Sequence, residues 1–198
     1  MNHEVEPGRI GSPEVIGTPE VVRPDGPRIY VASLSDYNNG RLHGRWIDAD
    51  QEPEAIWEEI GDMLAESKYD PEEEHAIHDY EGFGAYRVGE YESIEDVSRL
   101  GRGIAEHGLA YAAFAAHLDP AEWYKLDDFD EHYRGQWSSR AEYAEQLLDD
   151  IGIDLENLGP EMLQPYISVD LDAFARDLAY DLIVAEADDG GVYIFDRE

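Results

Sequence analysis

The chain has 198 residues, with 47 Asp and Glu against 14 Lys and Arg, a formal net charge of −33. Hydrophobic residues make up 42% and aromatics 11%, enough to build a core, so this is not a disordered acidic tail. The absence of cysteine excludes disulfides, thiolate metal sites and thiol nucleophiles, and the charge disfavours direct binding to nucleic acid, whose phosphates have the same sign.

No apolar run approaches the ~18 residues of a membrane helix. The N-terminus, MNHEVEPGRIG, lacks the basic start and apolar stretch of a secretory signal. The expectation is a soluble, cytoplasmic protein that does not associate with a membrane. Residues 1–27 read as a flexible tail: Pro7, Pro13, Pro19, Pro24 and Pro27 alternate with Gly8, Gly11, Gly17 and Gly26, and no aromatic is present. The tail's charge is nearly balanced, five acids against two arginines, so the acidity belongs to the part that folds.

After the tail, RIYVASL reads as a strand, SDYNNG as a turn and RLHGRWIDA as a second strand, together a hairpin with a longish loop. PEAIWEEIGDMLAESK reads as an amphipathic helix with Pro53 near its first position and Ile56, Ile60, Met63 and Leu64 on one face. Ala76 to Glu81 reads as a third strand beside the hairpin. Ser93 and Asp96 resemble a capping box for a helix running to about Glu106. LAYAAFAAHL continues helical, and DPAEWYKL starts another helix at Asp119 and Pro120. Ser139 and Glu142 cap a helix through Asp149, and a later helix carries Leu171, Phe174 and Leu178 on one face. LIVAEADDGGVYIF closes the chain as a hairpin turning at Asp189 to Gly191. This order predicts a segmented α+β protein rather than one doubly wound sheet.

The stretch YDPEEEHAIHDYEGF (Tyr69 to Phe83) concentrates acids and histidines, and invites a metal site. On a helix His75, His78 and Asp79 would share a face. Pro71, Gly82 and Gly84 favour a short strand instead, on which His75 and His78 point to opposite faces. His107 and His117 stand alone. The expectation is structural histidines, with no metal and no cofactor. Catalysis is equally unsupported. Carboxylate pairs arise by chance among so many acids, and neither a G-x-S-x-G elbow nor a phosphate-binding GxxxxGK loop is present. The expectation is a protein that is not an enzyme.

The placement of the acids is more informative. Glu54, Glu58, Asp62 and Glu66 recur every fourth residue, opposite the apolar stripe, and Asp50 and Glu59 widen the band. Successive members are about 6 Å apart along the helix axis. Like charges at this spacing cost roughly 0.2–0.5 kcal/mol per pair, and a helix that needed only solubility would alternate Glu with Lys. The acids continue at Asp70, Glu72, Glu73, Glu74, Asp79 and Glu81, then at Glu90, Glu92, Glu95 and Asp96. A further run holds Asp127, Asp128, Asp130 and Glu131, followed by Asp149, Asp150, Asp154 and Glu156. A sustained band of anions suggests imitation of duplex DNA, which carries one charge per ~1.7 Å of axis. The alternative is an acidic module or halophilic adaptor for some other basic protein, in keeping with only two lysines, Lys68 and Lys125.

Two stretches, IYVASLSDYNNGRLHGRWID and AIHDYEGF, and near the end YISVDLDAFARDLAYD, resemble the ArdA antirestriction proteins from about Arg28 to the C-terminus. The resemblance implies a DNA mimic carried on mobile genetic elements, which occupies the DNA-binding groove of type I restriction–modification enzymes. It implies an elongated chain of three small domains and a homodimer. Mapped onto this sequence, the domains are an antiparallel sheet plus helix at 28–91, a helical middle at 92–130, and an α+β unit with the closing hairpin at 131–198.

Overall fold

The structure is a computed structural model that describes residues 26–69 and 74–197. It is α+β, with two three-stranded antiparallel sheets and seven α-helices among the described residues. In chain order these are β1 (Arg28–Ser33), α1 (Leu34–Asn38), β2 (Gly44–Asp48), α2 (Pro53–Ala65), β3 (His75–Glu81), α3 (Ile94–His107), α4 (Leu109–His117), α5 (Phe129–His132), β4 (Tyr133–Trp137), α6 (Arg140–Asp150), α7 (Leu171–Leu178), β5 (Leu182–Glu186) and β6 (Val192–Asp196).

The first sheet has the order β2-β1-β3, so the most apolar strand is central. Ile29, Val31 and Ala32 of β1 are fully buried. The expected turn in SDYNNG is instead the short helix α1. Ser33 at its N-cap accepts a hydrogen bond from the Asp36 backbone N–H, which starts a helical turn before Asn39 and Gly40 end it. Asp36 itself is buried, and receives Arg41 Nη1 at 2.6 Å and the Ser67 hydroxyl at 2.5 Å. Burial alone would push its pKa up. The hydrogen bonds from Ser67 and Arg41 and the Arg41 charge outweigh burial and hold the carboxyl below its usual range.

α2 lays Ile56, Ile60 and Met63 against this sheet, as the periodicity predicts. Each buried side chain of this size contributes about 1.5–3 kcal/mol. That exceeds the few tenths lost per like-charge pair on the outer face. α3 follows its expected cap, with Ser93 Oγ accepting from the Asp96 N–H. Gly108, at φ 72°, then breaks the expected continuous helix into α3 and α4. α4 is buried over Ala110 to Ala115, the pattern of a helix covered on all sides. Phe114 stacks on Phe195 of β6 at 4.7 Å, and Phe129 joins them at 6.0 Å from each ring. The segment expected to open an α-helix at Pro120 is a 3-10 helix through Asp128, anchored by buried Trp123 and Leu126.

The second sheet has the order β4-β6-β5. Its hairpin turns as expected, the Ala187 N–H donating to Gly191 O and Gly190 taking φ 93°. The strand β4 was not expected. It is short, exposes Arg134 and Gln136, and is interrupted by a register shift between Tyr133 and Gln136, with Gly135 at φ 102°. One apolar cluster runs from Ile29 to Phe195 through α3 and α4. The expected tail falls outside the described residues except for Gly26 and Pro27. Pro27 O accepts from the Ala49 N–H at 2.8 Å.

Two glycines of α3 make this shared core possible. A Cβ on Gly101 would lie 2.1 Å from Ala49 O, and one on Gly103 would lie 2.2 Å from the Tyr111 ring. Gly101→Ala and Gly103→Ala should each lower stability by about 1–3 kcal/mol despite the better helix propensity of alanine. Denaturant melts check this; unchanged midpoints would mean that α3 does not pack this closely.

Candidate partner-binding surface

The outer face of α2 carries the ridge that the spacing predicts. Glu54, Glu58 and Asp62 are exposed, opposite the buried stripe, and among the described residues none has an ion-pair or side-chain hydrogen-bond partner. Glu66, at the C-cap, is tied to Arg45 at 3.3 Å, and Glu59 is half-buried and accepts from Gln51 Nε2 at 2.7 Å. Asp50 is exposed just ahead of the helix. Nothing in the fold requires the three ridge acids. Glu54 gains a little from the helix N-terminus, whereas Asp62 sits in the last turn, where the macrodipole disfavours an anion.

Asp70, Glu72 and Glu73 lie outside the described residues. Glu74 is exposed just before β3, and Asp79 and Glu81 are exposed along it, with Glu81 held by Arg28 at 2.7 Å. A bulge interrupts β3, because the pairing passes from Tyr30 with Asp79 to Val31 with Ile77 and leaves His78 as the extra residue; beyond it Ile77 joins the apolar cluster, and Ala76, paired with Ala32, is buried as well. The two histidines are separated by their contacts. His75 meets Trp57 edge-on at 5.3 Å, and His78 meets Tyr37 at 4.9 Å. Burial lowers the His75 pKa against the opposing pull of Glu74. Among the described residues no three His, Asp or Glu side chains are grouped as metal ligands.

The remaining acids divide by what they do locally. Glu92 is half-buried and accepts from the Gly89 N–H at 3.0 Å; Asp96 is half-buried and accepts from the Ser93 hydroxyl at 2.7 Å. Both serve the entry to α3, while Glu90 and Glu95 stay exposed. Asp127 is paired with Arg99 at 2.6 Å, and Asp130 lies 3.5 Å from His107 Nδ1. Asp128 and Glu131 beside them are exposed. Asp149 and Asp150 end α6, with Gln146 donating to Asp150 at 2.8 Å. Asp154 shapes a turn by accepting from the Glu156 N–H and Asn157 Nδ2, which lowers its pKa, and Glu156 is exposed beyond it.

Sequence reasoning missed the arginines. Arg28, Arg41, Arg45, Arg99, Arg102 and Arg134 each hold a carboxylate, respectively Glu81, Asp36, Glu66, Asp127, Glu52 and Asp196. These cations are therefore used within the fold, and the acids that remain unpaired face outward uncompensated. Tyrosines register the resulting field. Tyr86 is pushed up to about 12 by burial and then by Glu92 and Asp96, and Tyr91 is raised chiefly by Glu90.

The family model for antirestriction proteins, ArdA, matches residues 29–193. The chain belongs to the ArdA family. A comparison with curated proteins gave no match. The matched span begins one residue into β1 and ends within β6, so it takes in both sheets and every helix between them. The family's function is antirestriction, which implies interaction with restriction–modification enzymes. Among the described residues no helix is long and apolar enough to cross a membrane.

If the α2 acids serve a partner rather than the fold, removing them should help the fold. Glu58→Gln with Asp62→Asn should raise stability by roughly 0.2–0.5 kcal/mol at low salt. The gain should shrink as salt is added. Thermal melts at two ionic strengths check this, and a loss of stability would show that these acids are structural.

Proposed function

We propose that this protein inhibits type I restriction–modification enzymes by imitating DNA. It enters the groove of the methyltransferase core where the duplex would lie, and blocks cleavage of incoming DNA. No cofactor and no catalytic step are involved. The observation that carries this is the unpaired ridge of Glu54, Glu58 and Asp62 on a helix whose other face is locked into the core. A rigid row of anions about 6 Å apart presents a DNA-binding groove with charges it already accommodates. Residues 28–91, 92–130 and 131–198 act as three consecutive units of that acidic surface, in an elongated protein that works in the cytoplasm of a cell receiving a mobile element.

The active form is a homodimer. Two chains of this charge repel, so they meet where acids thin out and apolar groups are exposed. Ile151, Met162 and Tyr166 are 66%, 80% and 84% exposed. The stretch 151–169 that contains them has only Asp154, Glu156 and Glu161 as acids. Met162→Asp with Tyr166→Asp should convert the dimer to monomer in sedimentation; an unchanged mass would mean the chains meet elsewhere.

The decisive test is competition with a labelled target duplex for a purified methyltransferase core at low and moderate salt. Displacement that weakens as salt rises supports the mimic. Reversing Glu54, Glu58 and Asp62 to Lys should weaken displacement at least tenfold while leaving circular dichroism unchanged. Full displacement by that variant would move the mimicry to other acids, and no displacement by the native protein at any salt would point to a different basic partner.

A further inference from the structure

Trp57 stands out on the acidic face. It lies on α2 beside the Glu54–Glu58–Asp62 ridge, is 42% exposed, and has Glu95 Oε1 of α3 at 3.5 Å from its indole nitrogen. Acids therefore flank it from two helices. His75 meets it at a right angle, so at least one indole face is not covered by that ring. Burial keeps His75 toward its neutral form, so it adds little competing positive charge.

Gly61 is the second observation. It is one helical turn after Trp57, in the middle of α2, and a Cβ there would meet nothing within 4 Å. Glycine inside a helix destabilises it relative to alanine, and here no close packing accounts for it. Side chains on a helix lean back over the preceding turn, so any larger residue at position 61 would lie toward the indole. The glycine keeps that approach open. Gly101 and Gly103, by contrast, are each pressed against other atoms.

The fold already contains the contact that such a surface suits. The Arg28 guanidinium lies 4.8 Å over the Trp46 ring. Among the described residues no cation occupies the corresponding place at Trp57. An arginine fits better than a lysine, because its plane stacks on an indole while its N–H groups reach carboxylates on either side.

We propose that Trp57, left uncovered by Gly61 and flanked by Glu54 and Glu95, receives an arginine side chain of the partner's DNA-binding groove. This rests on the DNA-mimic reading for the identity of the partner, and adds an anchor that charge alone does not supply. Aromatic residues and arginines dominate the energetics of interfaces generally.

The test uses the full chain and two probes, an oligoarginine and an oligolysine of equal length, alongside the methyltransferase core. The native protein should prefer oligoarginine, and Trp57→Leu should erase the preference. Against the core, Trp57→Leu should bind about two- to thirtyfold more weakly. Its slope of log affinity against log salt should be unchanged, because no charge is lost. Gly61→Leu should raise the melting temperature yet weaken binding, which separates an uncovered ring from a general folding defect. The inference is overturned if the native protein shows no arginine preference, if Trp57→Leu retains it, or if Gly61→Leu binds as the native protein does. Arginine preference without binding to the core would keep the anchor and overturn the restriction–modification reading instead.

Discussion

Self-repulsion among carboxylates is the constraint to which the rest of this structure answers. A net charge of −33 on a chain of this length favours expansion, and the compact state survives only if burial outweighs it. The protein meets this with one continuous apolar cluster instead of several isolated patches. β1 supplies the centre of one sheet and β6 the centre of the other; α2 and α3 lead from the first to the nearly encircled helix α4, which meets the second through Phe114 and Phe195. The small residues of α3 belong to the same solution, since Gly101 and Gly103 let α3 approach Ala49 and Tyr111 closely enough to keep the cluster unbroken.

The few cations are deployed economically. Five of the arginine–carboxylate pairs join residues more than twenty positions apart, such as Arg28 with Glu81 and Arg102 with Glu52. Exposed pairs of this kind are each worth little, at most about 1 kcal/mol. Their larger consequence is for the field. Positive charge is concentrated where elements meet, and faces such as the outer side of α2 are left wholly negative. Arg41 is the exception in kind, because its carboxylate partner, Asp36, is buried. There the ion pair stabilises a turn that apolar packing cannot fill. The lowered Asp36 pKa means that its contribution is present above the ordinary carboxylate range and is lost as pH falls through the folded-state value.

What could be read from sequence followed from periodicity and capping. α2, α3, α6 and the closing hairpin carry those signals strongly, and so does the family resemblance, whose motifs fall on β1, β2, β3 and α7. What could not be read depended on contacts between distant residues. The bulge at His78 breaks the alternation between Ile77 and Asp79, which pair with consecutive residues of β1. β4 is a poor strand by composition, and forms because β6 offers it an edge. The outward ridge of Glu54, Glu58 and Asp62 was legible because helical spacing alone defines it. Other acids in the same sequence band turned out to be caps or ion-pair partners, among them Asp96, Glu92 and Asp127. A sequence reports how many carboxylates there are, but only the fold decides which remain unpaired.

That distinction bears on how the proposed mimic would compete with DNA. Exposed charges separated by more than about 8 Å are largely screened at physiological ionic strength. Long-range attraction therefore speeds encounter more than it holds the complex. Retention has to come from contacts made at close range, where water is displaced and geometry matters. The unpaired acids of α2 are mounted on a helix that Ile56, Ile60 and Met63 fix in place, so little ordering is needed when a partner arrives. An indole set among them offers what a duplex lacks, an exposed aromatic face beside the anions. On the proposed reading, a mimic built this way need not copy every phosphate. It needs enough negative charge to be admitted to the groove, and a few rigid contacts that do not weaken with salt once it is there.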